Sequence, residues 1–251
     1  MERQELMLEV KNITKRFGNI EAVRGISFKV EKGEILGFLG PNGAGKSTTM
    51  RMITGFLPPT SGTAVVCGND IKVDPVSAKK TIGYLPENAP VYGEMTVLSF
   101  LGFIAGIRGF RGKARREKVE MTVEKCRLEK VMNQTIDTLS KGYRQRVCFA
   151  QAVIHDPPVL IMDEPTDGLD PNQKFIVRNM IKDMSSEKVI VISTHILEEV
   201  EAVCTRAIII SNGVIVANGS PEELKAESET DRLEDVFRKL TLGEEHIRKA
   251  G

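Results

Sequence analysis

The sequence contains few residues of the kinds that bind zinc or form disulfide bridges. Its 251 residues include four cysteines and three histidines. The cysteines lie far apart and form no CxxC pair; they are Cys67, Cys126, Cys148 and Cys204. Closely spaced Cys and His pairs are typical of zinc sites, and disulfide frameworks are typical of secreted chains. The sequence therefore argues against a zinc site and indicates reduced thiols in the cytosol.

The sequence also lacks a hydrophobic segment long enough to span a membrane. A spanning helix needs about 20 predominantly apolar residues. The segment nearest to this requirement, Val97–Ile107, is shorter and contains Gly102 and Gly106. The first residues do not have the pattern of a signal peptide. We therefore expect a protein that stays in the cytoplasm.

A large net charge is absent as well. Lysine and arginine number 35 and aspartate and glutamate number 34. With no global electric field to attract the protein to a polyanion, we expect no nucleic-acid partner. Basic residues are concentrated in residues 108–118, at Arg108, Arg111, Lys113, Arg115, Arg116 and Lys118. Either a solvated helical face or contact with anionic lipid headgroups explains this run.

The hydropathy pattern predicts an α/β fold with an N-terminal antiparallel β region. Residues 6–31 twice alternate apolar and polar side chains, as half-buried strands do. Apolar runs at residues 34–39, 159–162 and 189–192 are typical of parallel strands that are covered on both faces. Residues 94–152 have a helical pattern, which indicates an inserted helical subdomain at about residues 88–155. The length suffices for one large domain with such a subdomain.

Turn and capping signals organise the C-terminal part of the chain. The tripeptide Ser-Asn-Gly at residues 211–213 lies between two apolar runs and predicts a β-hairpin. Ser220, followed by Pro221 and then by Glu223, predicts a capped helix. A further helix is predicted near the C-terminus by apolar residues at helical spacing. These residues are Leu233, Val236, Phe237 and Leu240.

Residues 40–48 carry the strongest chemical signal. They contain the phosphate-loop pattern G-x-x-x-x-G-K-[ST] followed by one threonine: Gly40, Pro41, Asn42, Gly43, Ala44, Gly45, Lys46, Ser47 and Thr48. Glycines let backbone N–H groups close around phosphate oxygens, and the following helix presents its positive end. We expect Lys46 to reach the β- and γ-phosphates of a nucleotide and the Ser47 hydroxyl to bind Mg²⁺. A plain glycine-rich turn is the alternative.

Two adjacent carboxylates form the second chemical signal. Asp163 and Glu164 directly follow the apolar run at residues 159–162. Ligands bind outside the carboxyl ends of strands in open α/β sheets. Asp163 therefore suits the Mg²⁺ shell, directly or through water, and Glu164 is placed to polarise an attacking water as a general base. Many strands end in acidic residues, so the pair becomes a strong signal only together with the phosphate loop.

The order of these motifs resembles that of the ABC ATPases over nearly the whole chain. Residues 139–146, Leu-Ser-Lys-Gly-Tyr-Arg-Gln-Arg, are similar to the family signature LSGGQ and its basic extension. The resemblance implies that Ser140 and Gly142 approach the γ-phosphate held by an opposite subunit, so that two chains enclose two ATP molecules. A Ser cap and a Gly at a helix start suit an anion. Without the resemblance, Ser140 would be a plain N-cap.

The resemblance also implies roles for residues that carry little signal alone. His195 resembles the switch histidine that contacts the γ-phosphate, and residues 167–170 resemble the loop that crosses the dimer interface. Phe17 stands where the family stacks an aromatic ring on adenine, although a core position is the alternative. Glu87 stands where most members have a Gln that senses Mg²⁺ and the membrane partner. Glu87 is therefore both a catalytic and a metal-binding candidate.

Architecture and partners follow from the same resemblance. It implies an ABC ATPase domain at residues 1–225 and a helical tail at residues 226–251. Residues 83–87 and the tail are similar to the exporter branch, which includes drug-, lipid- and gliding-type ATPases. We expect a subunit that hydrolyses ATP with Mg²⁺, pairs with itself or a homologous ATPase, and is attached to the cytoplasmic membrane face through transmembrane permease subunits. The alternative is a mechanical transmitter that moves no substrate.

Overall fold

The computed structural model describes residues 6–242, which form two β-sheets and their covering helices. Among these residues the strands are β1 (Leu6–Phe17), β2 (Ile20–Glu31), β3 (Ile35–Leu39), β4 (Ser61–Val66), β5 (Asn69–Asp70), β6 (Ile82–Leu85), β7 (Val159–Asp163), β8 (Val189–Thr194), β9 (Arg206–Ser211) and β10 (Val214–Gly219). The helices are α1 (Lys46–Ile53), α2 (Pro75–Lys80), α3 (Val97–Ile107), α4 (Gly112–Lys125), α5 (Lys141–Val153), α6 (Pro171–Ser185), α7 (Leu197–Val203), α8 (Pro221–Lys225) and α9 (Leu233–Leu242). A short 3-10 helix covers Ile136–Thr138.

The smaller sheet is the antiparallel region that the N-terminal alternation predicts. Its strand order is β2-β1-β4-β5, with antiparallel pairing between neighbours. Along β2, Ile26, Phe28 and Val30 are buried, whereas Ser27 and Lys29 between them are exposed. One face of the sheet therefore covers the core and the other faces solvent, which is the arrangement that period-two patterning produces.

The larger sheet brings three loops to one edge. Its order is β10-β9-β3-β8-β7-β6. The strands from β9 to β6 are parallel, and β10 pairs antiparallel to β9. Every residue of β3, β7 and β8 is buried, which confirms the predicted double coverage. Because these three strands are adjacent and parallel, the segments that follow Leu39, Asp163 and Thr194 lie side by side.

Helices α3, α4 and α5 pack together within the predicted subdomain. Thr96 and Ser140 cap α3 and α5, each accepting a hydrogen bond from a backbone N–H in the first turn. Phe100 and Phe149 are almost fully buried between them, in a cluster that continues to Leu160 of the large sheet. Burial of side chains of this size contributes about 1.5–3 kcal/mol each. The helices therefore share their core with the sheet.

The basic run at residues 108–118 spans the turn from α3 to α4. Arg111 donates hydrogen bonds to the carbonyl oxygens of Gly106 and Phe110, which covers the C-terminal end of α3. Lys118 Nζ lies 5.7 Å from the ring centroid of Phe110, and Lys113 pairs with Glu117 at 3.6 Å. All of these contacts lie within α3, α4 and the turn that joins them. Among residues 6–242, no helix combines the length and the apolar character that a membrane crossing requires.

The C-terminal elements are built as their turn signals predict. Asn212 and Gly213 both have positive φ angles, 49° and 78°, and join β9 to β10 in the expected hairpin. Ser220 and Glu223 form a complete capping box at the start of α8. Helix α9 buries Leu233 in a cluster with residues of β3, α7 and β9. Residues 243–251 of the predicted tail lie outside the described residues.

Candidate functional site

The phosphate-loop residues link β3 to α1 in a backbone path that only small residues allow. Gly45 has a φ of 105°, and a Cβ on it would lie 2.6 Å from the carbonyl oxygen of Ala22. A Cβ on Gly40 would lie 2.5 Å from the carbonyl oxygen of Ile210. Glycine at both positions is therefore required by close backbone approach, and helix α1 begins at Lys46. The loop thus presents backbone N–H groups and a helix N-terminus at one place.

Lys46 is buried and points back into the loop. Its side chain is 6% exposed, and Nζ donates to the carbonyl oxygens of Gly40 at 2.7 Å and Pro41 at 3.2 Å. Nζ also lies 3.7 Å from Glu164 Oε1. Burial lowers the pKa of Lys46, while the charges of Glu164 and Asp163 oppose that shift. The loop therefore holds a buried cation at its centre, with the carboxylate of Glu164 3.7 Å away.

Asp163 lies at the end of β7, fully buried between two hydroxyl groups. Ser47 Oγ donates to Asp163 Oδ1 at 3.0 Å, and Ser193 Oγ donates to the same oxygen. The other carboxylate oxygen, Oδ2, is buried and makes no hydrogen bond to any residue in 6–242. Buried carboxylate oxygens are normally paired. This oxygen is therefore available to a ligand.

Glu164 adopts a left-handed backbone conformation, with a φ of 50°. That conformation is uncommon for a residue other than glycine and is held in place by its surroundings. Its N–H donates to the carbonyl oxygen of Ser193 at 3.1 Å and to Ser193 Oγ at 3.2 Å. The bend turns the carboxylate toward His195, whose Nδ1 lies 3.0 Å from Glu164 Oε2. Glu164 therefore contacts both Lys46 and His195.

A polar cavity of about 410 Å³ brings most of the predicted residues together. Its lining consists of Ala22, Asn42, Gly43, Gly45, Lys46, Ser47, Thr48, Glu87, Glu164, Asp167 and His195. The exposed carboxylate of Glu87 is close enough to Lys46 to oppose, with Glu164 and Asp163, the lowering of that amine's pKa by burial. The walls come from the smaller sheet, the phosphate loop and the three parallel strand ends. The cavity thus has a cationic floor and carboxylates around it, as a site for a phosphate group and a water molecule requires.

Phe17, Ser140 and Gly142 do not line this cavity, and neither do Gly40, Pro41 and Ala44 of the loop or the buried Asp163. Phe17 is at the end of β1, 48% exposed, with Lys15 Nζ 5.1 Å from its ring centroid. The exposure excludes the alternative that Phe17 is a core residue. Ser140 and Gly142 begin α5, where a Cβ on Gly142 would meet the Gln173 side chain.

Sequence reasoning missed two residues of the site. Ser193 holds both acidic residues through its hydroxyl and carbonyl groups, and Ala22 contributes a wall from the smaller sheet. Serine one step before the end of a buried strand is a weak signal, since such hydroxyls often bond to nearby backbone. Ala22 carries no signal because its contribution depends on how the two sheets pack together.

The known proteins most informative about this chain are ABC transporter subunits. The profile of the family described as ABC transporter matches residues 23–167. The chain belongs to the ABC transporter family. It is 39% identical over 232 residues to the probable multidrug ABC transporter ATP-binding protein YbhF of Escherichia coli, an alignment that covers 92% of this chain and 40% of YbhF. It is 35% identical over 244 residues to the ABC transporter ATP-binding protein NatA of Bacillus subtilis, covering 94% of this chain and 99% of NatA.

Solved ABC structures have the same architecture. The structure of cbiO1 from Clostridium perfringens, described as part of the ABC transporter complex cbiONQ, matches with a TM-score of 0.81 and 26% identity. The match covers 98% of this chain and 99% of cbiO1. The predicted ABC ATPase fold is therefore confirmed, and the chain is an ATP-binding domain of an ABC transporter. It spans less than half the length of some relatives, such as YbhF.

Proposed function

We propose that this ABC domain is the ATP-hydrolysing subunit of an exporter and drives a separate membrane subunit. The observation that carries the proposal is the convergence of Lys46, Ser47, Glu164 and His195 on one polar cavity, with Asp163 directly behind Ser47. The name of YbhF, a probable multidrug transporter protein, supports an exporter. ATP fits because the cavity combines a phosphate-binding loop with a positioned carboxylate.

The phosphate loop and Lys46 bind the phosphates of ATP. Backbone N–H groups of residues 43–48 point at an anion in such a loop, and the Lys46 amine supplies a charge-assisted bond. In this structure Lys46 Nζ is shared between carbonyl oxygens and Glu164 Oε1. A phosphate oxygen is a stronger partner than a carbonyl oxygen, so ATP binding redirects Lys46 from the loop carbonyls to the nucleotide.

Ser47 and Asp163 fit a bound Mg²⁺. The ion prefers oxygen ligands, with one or two from protein and the rest from phosphates and water. Asp163 is 0% exposed. Its Oδ2 atom is buried and has no hydrogen-bond partner among residues 6–242. Ser47 Oγ adjoins the same carboxylate at 3.0 Å. Mg²⁺ would neutralise charge on the phosphate oxygens. Glu87, on the cavity wall, would add a negative charge near the ion.

Glu164 is the general base. Its carboxylate is 10% exposed and faces the cavity, where it accepts a hydrogen bond from a water and polarises it toward the γ-phosphate. His195 Nδ1 contacts the same carboxylate and fixes the direction in which it points. The other ring nitrogen, Nε2, would contact the γ-phosphate.

Hydrolysis requires a second ATPase subunit, either another copy of this chain or a homologue. Ser140 and Gly142 lie outside the cavity of their own chain, which supports their assignment to the ATP of an opposite subunit. Phe17, exposed at the tip of its hairpin, is available to stack on adenine. ATP thus forms part of the interface, and its hydrolysis separates the two subunits.

A membrane subunit docks beside α3 on the cytoplasmic face. Tyr92, Leu98, Phe103 and Ile107 are exposed apolar residues, and the rings of Tyr92 and Phe103 are in edge contact at 5.5 Å. An exposed apolar patch of this kind is typical of a surface that binds another protein. In this proposal, residues 1–225 belong to the ATPase domain with its subdomain at about 88–155, and residues 226–251 belong to the C-terminal tail.

Replacing Lys46 by Ala tests the proposed function. We expect loss of ATP hydrolysis and of most nucleotide affinity, because the β- and γ-phosphates lose their main counter-cation. Affinity is measured directly with a fluorescent ATP analogue and hydrolysis by phosphate release. Lys182→Ala, which removes an exposed lysine on α6, is the matched control. Unchanged ATP affinity in the Lys46 variant would refute the assignment of the loop.

A further inference from the structure

A buried carboxylate outside the cavity connects the two loops that carry Glu164 and His195. Glu199 lies in the first turn of α7 and is 6% exposed. One of its oxygens, Oε1, accepts a hydrogen bond from Thr166 Oγ1, and the other, Oε2, accepts one from Thr194 Oγ1 at 3.0 Å. Thr166 and Thr194 are themselves buried, at 2% and 0% exposure. The two oxygens of one side chain thus bind two separate loops.

Each threonine lies within two residues of a residue of the proposed reaction. Thr194 directly precedes His195, and its hydroxyl also accepts the N–H of Ile196 at 3.0 Å. This bond closes a tight turn around His195. Since the Thr194 hydroxyl accepts from Ile196 and donates to Glu199, both of its hydrogen-bonding roles are fixed. His195 is therefore carried on a turn that Glu199 anchors.

The second connection leads to Glu164. Thr166 follows it by two residues, and the N–H of Asp167 donates to the carbonyl oxygen of Glu164 at 3.2 Å. Glu164 has the uncommon left-handed conformation, which persists only where neighbouring contacts enforce it. Ser193 provides the contact before the bend, through the Glu164 N–H. Glu199 provides the contact after the bend, through Thr166.

The chemical environment explains why a carboxylate is used here. A carboxylate only accepts hydrogen bonds, so both hydroxyl groups donate to it. Burial raises the pKa of Glu199, whereas the Thr194 hydroxyl, Arg178 and Lys174 oppose that shift. Arg178 Nη2 lies 4.0 Å from Glu199 Oε1. A buried acid is costly to retain, and packing alone would be better served by an apolar residue.

We propose that Glu199 is a positioning residue that fixes the distance between the Glu164 segment and the His195 turn, and so sets the contact between Glu164 Oε2 and His195 Nδ1. The inference rests on the proposed function, since it assigns Glu199 to the hydrolytic step. It acts through Thr166 and Thr194 and touches no phosphate. Catalysis therefore depends on an acid outside the nucleotide cavity.

Three variants of the two adjacent glutamates on α7 test this role. Glu199→Ala should lower kcat by roughly 10- to 100-fold, the usual effect of misplacing a reacting group by about 1 Å, and leave KM for ATP within about 3-fold. Glu199→Gln should restore kcat to within about 3-fold, because its amide can accept from one threonine and donate to the other. Glu198→Ala is the control, since Glu198 binds Arg178 but neither threonine.

A second set of variants separates positioning from folding. Thr166→Val removes the hydroxyl at nearly constant volume and should lower kcat in the same direction as Glu199→Ala, while Thr166→Ser should retain activity. The double variant Thr166→Val/Glu199→Ala should be little worse than Glu199→Ala alone, because both changes break one connection. Circular dichroism and urea unfolding confirm that the compared proteins are folded.

The geometry can also be measured without turnover. The chain has three histidines, and the His195→Ala spectrum identifies the ring nitrogen signals of His195 in long-range proton–nitrogen NMR. Glu199→Ala and Glu164→Gln should both shift the His195 Nδ1 signal, and Glu198→Ala should leave it in place. Glu199→Gln should give a signal close to that of the wild type.

The possible results distinguish this inference from the proposed function. A wild-type chain that hydrolyses no ATP would contradict the proposed function. Active wild type together with a folded Glu199→Ala variant of unchanged kcat would overturn the role of Glu199 alone. So would a Glu199→Gln variant as impaired as Glu199→Ala, because charge rather than geometry would then be responsible, or a change in KM without a change in kcat.

Discussion

Replacing Glu164 by Gln removes one negative charge from the site and preserves its shape. The Glu164 side chain is 10% exposed, with Oε1 3.7 Å from Lys46 Nζ and Oε2 3.0 Å from His195 Nδ1. An amide fills the same space and can still hydrogen-bond to His195. It cannot act as a base toward water, so the variant isolates proton transfer from binding.

The distances allow an estimate of both effects. At 3.7 Å and an effective dielectric constant of about 20, Lys46 and Glu164 attract each other by roughly 4–5 kcal/mol. Removing this attraction leaves Lys46 available to the phosphates, so ATP affinity should be retained or increased. Hydrolysis should fall by roughly 10²–10⁴-fold, the usual contribution of a positioned general base. That loss corresponds to about 3–5 kcal/mol in activation free energy.

Two measurements follow the variant. Phosphate release gives the rate, and light scattering coupled to gel filtration, with and without Mg²⁺ and ATP, gives the mass. The variant should accumulate as an ATP-bound dimer of doubled mass, because hydrolysis no longer separates the subunits. Glu198→Gln makes the same chemical change at an exposed carboxylate and should behave as the wild type. If Glu164→Gln hydrolyses ATP at a near wild-type rate, another residue is the base, and Glu87 is the first candidate.

Three further predictions concern other parts of the chain. Tyr92→Arg should uncouple transport and leave basal ATP hydrolysis unchanged; crosslinks from the membrane partner to α9 instead of α3 would contradict this. Burial lowers the pKa of His155 to about 4, so the unfolded chain binds more protons between about pH 6.5 and 4. Urea midpoints should therefore fall as pH is lowered through that window, and less steeply in His155→Gln. Leu233→Ala, at a site 1% exposed, should lower the free energy of unfolding by roughly 2–4 kcal/mol without abolishing ATP binding; an unchanged urea midpoint would show that α9 does not stabilise the domain.

Features with a local cause could be read from the sequence. The phosphate loop, the capped helices and the hairpin at Asn212 depend on residues within a few positions of one another, so their turn and capping chemistry is visible in a short segment. Fully buried strands such as β7 and β8 have continuous apolar runs, which show that both faces are covered. The family signature at residues 139–146, between the phosphate loop and the acidic pair, completed the motif order that resembles the ABC ATPases. These signals together predict the fold and most cavity residues.

Strand order and the contacts between distant loops required the tertiary structure. Ser47 and Asp163 lie 116 positions apart, and Thr166 and Glu199 lie 33 apart. Hydropathy shows that a strand is buried but not which strand is its neighbour, because the same apolar pattern suits every position in the sheet. Glu199 has no signal of its own in the sequence, where it reads as one of several acids on a helix. Only the packing of α7 beside β8 and the segment that follows β7 turns that residue into a connection between Thr166 and Thr194.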